Sequence, residues 1–268
     1  MKTMIMILAV LAGLFLFGWI GLQFQPRGYQ ERSTGLPAGD GESLPENLPA
    51  PVEAYYRELY GENIPVIESA VISGRGTMRI QGITLPVRWR FTHQAGHHYR
   101  HQIEAAWFGL PILKVNEYYR DGSGRLELPF GISEGERVDQ GANLGLWAET
   151  IWMSSVWLTD ARVTWESLDP DTAVLQVPYG EQTQRFVVRF DPETELIRWM
   201  ESMRYKGEES QQKILWLNSV QKWDLLAGTL NPARVALIWM DEGTPWAELT
   251  VESIAYNVDV SGYFEDLD

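Results

Sequence analysis

The first hydrophobic pattern in the chain is an unbroken apolar run, without a charged residue, from Met4 to Leu22. About 19 residues at roughly 1.5 Å per residue give a helix of about 28 Å, close to the hydrocarbon thickness of a bilayer. A cleavable signal peptide is the alternative, but its apolar core is normally shorter and small residues follow it, whereas QFQPR follows here at 23–27. We therefore predict an uncleaved transmembrane anchor in residues 1–24.

Residues 25–47 are rich in Gly, Pro, Ser and charge and show no hydrophobic period. This composition is typical of a flexible linker, which would hold the following domain, 48–268, away from the membrane. Lys2 on one side of the anchor and Arg27 and Arg32 on the other give almost no positive-inside bias. The charges leave both orientations open, and we predict a single-pass membrane protein whose domain is extracytoplasmic.

A short helix is predicted at the start of the domain. Pro51 suits a first helical position, and Gly61 can end the helix. Its apolar residues, which would share one face and pack on the rest of the domain, are Val52, Tyr55, Tyr56 and Leu59.

Beyond the short helix the hydrophobic period changes from 3.6 to 2, which indicates strands with one buried side. The alternation on both sides of Gln81-Gly82 predicts a hairpin over 75–93. Further strands are predicted near 98–108, 111–120 and 124–129, and again after residue 160. In this second group Ile197, Trp199, Met203 and Tyr205 share one parity, and a one-residue phase slip between Val251 and Ile254 predicts a β-bulge.

Residues 141–159 interrupt the strands with a proline-free run that is apolar around most of a helical circumference. About 15 helical residues, one of them Glu149, are too few to cross a bilayer, so the run predicts a buried helix. A curved sheet buries such a helix most economically. We therefore predict a mainly β (α+β) fold: a curved antiparallel sheet or open half-barrel around one buried helix.

Several segments resemble a bacterial family of membrane-anchored domains of unknown function, over residues 48–258. They are LPAPVEAYYRELYG, GRGTMRIQG, DQGANLGLWAETIW, VTWESLDPDTAVLQV, FDPETELIRWMESMRYKG and VESIAYNVDV. These motifs are structural, and the resemblance implies no catalytic residue. In layout the chain is also similar to LolA-type lipoprotein carriers and related mycobacterial lipid-binding lipoproteins, in which an open barrel embraces a helix and binds acyl chains. That similarity implies a lipid-like ligand.

Composition narrows the range of partners and chemistries. A net charge of −14 makes binding to phosphate backbones improbable, so nucleic acid is not an expected partner. The chain has no cysteine, which removes disulfides, thiolate metal sites and cysteine nucleophiles. No nucleotide-binding, nucleophile-elbow or zinc-protease motif occurs, so we predict no cofactor, no metal and no catalytic residue.

The four histidines, His93, His97, His98 and His101, are candidate metal ligands. His97 and His101 would share a helical face, but in a strand they lie about 13 Å apart. If residues 94–96 form a hairpin loop, His93 lies opposite His97 and the two could share a proton or a metal. The alternative is that they are surface or packing histidines.

Glu149 is the most informative polar residue, because helical spacing surrounds it with apolar neighbours. A carboxylate there needs a raised pKa or a cationic partner, such as an arginine of the sheet. Alternatively it is the polar contact of an apolar ligand cavity. The predicted lining of such a cavity is Trp89, Trp147, Glu149, Trp152, Met153, Val156 and Trp199.

These observations favour a non-enzymatic envelope protein that binds a hydrophobic or amphiphilic ligand and contacts the membrane through its N-terminal helix. A scaffold or interaction domain with a filled core is the alternative. An enzyme of unfamiliar chemistry would need a second titratable group near Glu149 in an open cleft.

Overall fold

The computed structural model describes residues 2–30, 33–37 and 41–264. It begins with helix α1 (Lys2–Gly21), which is long and apolar enough to cross a membrane by length and composition, a test that signal sequences also pass. Helix α2 (Ala50–Tyr60) buries the four apolar residues predicted for it. Gly61 follows α2 with a φ of +68°, a conformation that costs glycine little.

The strands account for most of the remaining chain. Their bounds are β1 (Glu42–Ser43), β2 (Asn63–Ile64), β3 (Ser69–Ile80), β4 (Ile83–Gln94), β5 (His98–Trp107), β6 (Leu110–Arg120), β7 (Ser123–Leu128), β8 (Gly131–Ser133), β9 (Thr164–Asp169), β10 (Thr172–Tyr179), β11 (Gln182–Phe190), β12 (Ile197–Arg204), β13 (Ile214–Leu226), β14 (Thr229–Trp239) and β15 (Pro245–Tyr256).

Strands β3–β15 form one antiparallel sheet in the order β8-β7-β6-β5-β4-β3-β15-β14-β13-β12-β11-β10-β9. Neighbours in this sheet are also neighbours in sequence, except at its centre, where β3 pairs with β15. β8 and β9 are its edges, so the sheet is curved but not closed into a barrel. The predicted fold class is confirmed, and the chain between β8 and β9 supplies the helical segment.

The predicted hairpin is confirmed as β3 and β4. Gln81 and Gly82 both have positive φ, as the two-residue turns that match the twist of a hairpin require. The predicted bulge is also confirmed, since the register between β15 and β3 shifts at Glu252. Nearby, a Cβ on Gly74 would overlap the carbonyl oxygen of Thr250. The bulge and this glycine bring the two halves of the sheet close together where they meet.

The helical segment departs from the single helix predicted for 141–159. It consists of α3 (Glu136–Glu149), a 3₁₀ turn (Thr150–Met153) and α4 (Val156–Thr159). Hydroxyl groups take backbone carbonyls at the break: Tyr256 donates to Trp152 O over 2.6 Å, and Tyr56 donates to Ser154 O over 2.8 Å. Ser154 O also accepts from the backbone N–H of Trp157 over 3.0 Å, in a tight turn of the 3₁₀ type. The two tyrosine hydroxyls thus hold the bent segment against α2 and β15.

The segment predicted as a linker lies in part along the outer face of the sheet. Arg88 donates to the carbonyl of Arg27 over 3.2 Å, and Arg90 lies 4.1 Å above the ring of Tyr29. Further along, the Thr34 hydroxyl and the backbone of Tyr256 exchange hydrogen bonds of 3.0 and 2.6 Å. The composition of this segment gave no sign of these contacts.

Candidate functional site

A small cleft lies between the concave face of the sheet and the residues around the end of α3. Apart from Glu149, Asn218 and Ser219, its walls are apolar; the apolar members include Phe91, Trp152, Met200, Trp216, Val235 and Leu249. We call it the inner cleft. Its volume of about 40 Å³ admits no more than a few water molecules.

Larger depressions, of about 340 to 600 Å³, lie on the surface. The largest is bordered by Gln94, His97, Asp160 and Arg162 and is open to solvent. The inner cleft is the stronger candidate site because it adjoins a buried group of titratable side chains, and perturbed titratable groups in a cleft are a common mark of function.

Glu149 joins the inner cleft to that group. Its Oε2 lies 2.7 Å from His101 Nε2 and 3.0 Å from His93 Nε2. The contact with His101 is a hydrogen bond. The contact with His93 lacks the geometry of a hydrogen bond, so His93 Nε2 is left without a hydrogen-bond partner among the described residues. The His93 side chain is nevertheless buried, with 1% of its surface exposed. Glu149 therefore has two imidazole neighbours in place of the arginine expected from the sequence.

A second carboxylate lies on the other side of His101. Glu117 Oε2 is 3.5 Å from His101 Nδ1, and the Tyr99 hydroxyl donates to Glu117 Oε1 over 2.7 Å. The imidazole of His101 stacks between the rings of Phe91 and Tyr99, with centroids 3.9 and 4.1 Å away. Glu149, His93, His101, Glu117 and Tyr99 form what we call the buried network.

Charge explains the titration of the buried network. Burial alone would lower the pKa of His101, but Glu149 and Glu117 outweigh it and raise the pKa to about 9. Burial alone would raise the pKa of Glu149, but His101 and His93 hold it at about 2. Burial lowers the pKa of His93, which lies beside an already charged His101. One imidazolium between two carboxylates, next to a neutral imidazole, follows from these directions.

The register of β4 and β5 brings the histidines together. Phe91 pairs with His101 and His93 pairs with Tyr99, so the two histidines are diagonal neighbours on the concave face. The predicted pairing of His93 with His97 is wrong, because the loop comprises residues 95–97. The alternation along β4 contains a signal for the position of His93. His93 continues the buried alternation of Trp89 and Phe91, which predicts that its side chain faces the core.

Three members of the buried network could hold a metal ion. His93, His101 and Glu149 each offer one ligand atom, and these atoms lie within 4.8 Å of one another. Two histidines and a carboxylate suit several divalent metals. The hydrogen bond and charges of the network also account for these side chains without a metal.

The other predicted cavity residues divide into three groups. Trp152 lines the inner cleft, donates to Pro232 O over 2.9 Å, and stacks on Trp89 with centroids 5.9 Å apart. The residues that are buried in the surrounding core without lining the cleft are Trp89, Trp147, Met153 and Val156.

Trp199 lies apart from this group. The register between β11 and β12 shifts at Arg198, which has no partner on β11. Trp199 therefore lies on the convex face of the sheet, whereas Met200 lies on the concave face and lines the inner cleft. Met200 is buried, whereas Met203 is half exposed. The predicted common face of Ile197, Trp199, Met203 and Tyr205 is therefore wrong, because the extra residue changes the parity.

Comparison with solved structures gives distant fold neighbours. A DUF1329 family protein from Desulfovibrio piger is 13% identical, with 75% of this chain and 90% of that chain covered and a TM-score of 0.44. A LolA superfamily protein from Nitrosomonas europaea is 11% identical, with 81% and 97% covered and a TM-score of 0.47. A candidate outer membrane lipoprotein-sorting domain from Vibrio parahaemolyticus is 9% identical, with 74% and 90% covered and a TM-score of 0.42.

No curated protein matches the chain. One family profile does, described as a family of unknown function and matching residues 41–249. The match includes the inner cleft, the buried network and most of the large sheet. Because it extends over more than half of the chain, this protein belongs to the DUF6544 family.

Proposed function

We propose that this protein is anchored in a membrane of the cell envelope by α1 and binds a small amphiphilic ligand in the inner cleft. The observation that carries the proposal is a largely buried carboxylate, 16% exposed, that lies in the wall of a mainly apolar cleft and contacts two imidazoles. Burying a charge is costly, and a ligand site is one reason to keep it beside an apolar surface.

The chemistry of Glu149 defines the ligand class. Both histidine contacts use Oε2, and the side chain still borders the inner cleft. An ionised oxygen accepts hydrogen bonds and donates none. The ligand therefore has an apolar body and a head group that donates a hydrogen bond, such as an alcohol, an amide or an ammonium, and an anionic fatty acid is disfavoured.

Binding requires the inner cleft to widen, since about 40 Å³ is too small for an acyl chain. The 3₁₀ turn at residues 150–153 covers the cleft, and it is the part of the helical segment that departs from regular α-helix. In this proposal the turn moves away from β13 and β14 when ligand enters.

The small volume also favours a second candidate function, a scaffold domain whose helical segment fills the concave face permanently. In that case the buried network holds the helical segment in register with the sheet. The two functions differ in whether the inner cleft exchanges its contents.

Calorimetric titration of the full chain in detergent with 1-octanol and with octanoate tests the proposal. We expect saturable binding of octanol and weaker binding of octanoate, because octanoate would place a second carboxylate beside Glu149. Leu237→Trp should abolish octanol binding by filling the cleft. The matched control is Leu225→Trp, at an exposed position distant from it.

Two results separate the candidate functions. Saturable octanol binding that Leu237→Trp removes and Leu225→Trp retains supports ligand binding. Absence of binding by a correctly folded chain, together with native mass spectra of the membrane-extracted protein that lack ligand-sized adducts, supports the scaffold.

A further inference from the structure

One end of the strands in the N-terminal half of the sheet has a concentration of exposed apolar side chains. Successive antiparallel strands reverse direction, so the turns at 81–82, 108–109 and 129–130 all lie at this end. Apolar residues beside them are exposed, with Leu110 at 68%. We call the following set the apolar rim: Ile83, Leu110, Ile112, Phe130 and Ile132.

The apolar rim adjoins the end of α1. Trp107 Nε1 donates to Gly18 O over 3.0 Å, and the backbone N–H of Phe108 donates to Gly21 O over 2.8 Å. The ring centroid of Phe17 is 5.4 Å from that of Trp107 and 5.1 Å from that of Phe108. The tip of the β5–β6 hairpin thus lies at the same level as the last turn of α1.

This level is where a spanning helix of about 20 residues leaves the hydrocarbon core. Tryptophan and other aromatic residues favour that interface. Here the ring of Phe24 lies 5.3 Å from that of Phe108, and the adjacent Trp107 is bonded to Gly18. No residue from Trp107 to Leu113 is charged, although the whole chain has a net charge of −14. The hairpin tip is therefore free of the charges that would oppose contact with a bilayer.

The segment after α1 favours a fixed orientation of the domain. Its contacts with Arg75, Arg88 and Arg90 begin at Pro26, only a few residues beyond the end of α1. The chain between the anchor and the sheet is consequently too short and too well bonded for the domain to stand far from the membrane surface.

We propose that the apolar rim lies in the interface between head groups and acyl chains of the bilayer, beside α1. The domain is then seated on the membrane by one end of its sheet. This inference rests on the proposed anchoring by α1, and it replaces the stand-off expected from the composition of residues 25–47.

The absence of native cysteine allows a direct test in the full chain. Single-cysteine variants Leu110→Cys, Ile112→Cys and Phe130→Cys would each carry a small environment-sensitive fluorophore after reconstitution into phosphatidylcholine vesicles. Quenching by spin-labelled phosphatidylcholine is compared with quenching by aqueous iodide. Leu225→Cys is the matched control, because Leu225 is 70% exposed and lies near the opposite strand ends, and Leu14→Cys reports on α1.

We expect lipid quenching at the three rim positions and at Leu14, and iodide quenching at Leu225. If iodide quenches the rim positions as it quenches Leu225 while lipid quenches Leu14, the anchoring stands and the seated domain is excluded. Protection of the rim from both quenchers would indicate a second copy or a partner protein in place of lipid, and would also overturn the inference. Loss of lipid quenching at Leu14 would remove the anchoring itself.

Discussion

The two faces of the large sheet place charged side chains in opposite surroundings. On the concave face, Glu149 and His101 are in contact at 2.7 Å within the core. On the convex face, Arg234 and Glu248 approach to 3.3 Å with both side chains well exposed. The contrast teaches that similar pairs contribute very differently, because a buried charge that loses its partner retains its desolvation cost, whereas water solvates an exposed one.

The largest effect is expected from Glu149→Leu. Removing this carboxylate leaves two buried imidazoles without their common partner, and breaking a buried pair typically costs about 3–5 kcal/mol. The free energy of unfolding, measured with urea on the full chain in detergent, should fall by that amount. A loss no greater than that of an exposed pair would show that water reaches Glu149.

A second effect is a loss of stability between about pH 6.5 and pH 9. His101 has a raised pKa in the folded chain, so its contribution is complete below its ordinary pKa of 6.5 and is lost as pH rises through about 9. Glu149 has the opposite pH dependence, because its pKa is lowered in the folded chain. Its contribution to stability is complete above its ordinary pKa of 4.5 and is lost as pH falls through about 2.

The lowered pKa of His93 adds a loss of stability as pH falls below its ordinary 6.5. The groups that face His101 are Glu149, Glu117, His93 and Tyr99. Urea unfolding at pH 6.5 and pH 9.5 measures the His101 contribution. In Glu149→Gln the difference between the two pH values should shrink, and an unchanged difference would assign the titration to another group.

A smaller effect is expected from Tyr99→Phe. This change keeps the ring that stacks on His101 and removes the hydroxyl that donates to Glu117. An unsatisfied buried acceptor typically costs about 1–3 kcal/mol. The same urea measurement tests this value, with Tyr118→Phe on the neighbouring position of β6 as the control. Equal losses in the two variants would contradict a specific role for the Tyr99 hydroxyl.

The smallest effect is expected on the convex face. Glu248→Leu breaks an exposed pair, whose contribution is typically about 0–1 kcal/mol and declines with added salt. A loss comparable to that of Glu149→Leu would remove the contrast between the two faces.

Much of the architecture follows from short-range patterns. Alternation predicted β3 and β4, and the phase slip predicted the bulge at Glu252, because each depends on residues adjacent in sequence. The sequence predicts one helix over 141–159, since its apolar periodicity does not reveal that the hydroxyls of Tyr56 and Tyr256 donate to its carbonyls at the bend. Those two residues lie roughly a hundred positions away from the break on either side.

The candidate site was less accessible to sequence reasoning. Glu149 was recognised because an acidic residue in an apolar helical run is unusual, but its partners were not. His93 and His101 reach it only because β4 and β5 pair with Phe91 opposite His101. Trp199 was assigned to the wrong face of the sheet, because the unpaired Arg198 moves every later residue of β12 to the opposite face.

Hydrophobicity and local periodicity are enough to predict the apolar N-terminal helix, the strand-rich domain and the apolar surroundings of Glu149. The identity of the histidines that neutralise Glu149, the small size of the inner cleft and the contacts of Arg27, Tyr29 and Thr34 with the sheet emerge only in the folded chain. These properties depend on strand register and on contacts between residues far apart in the chain, and a periodic pattern contains no information on either.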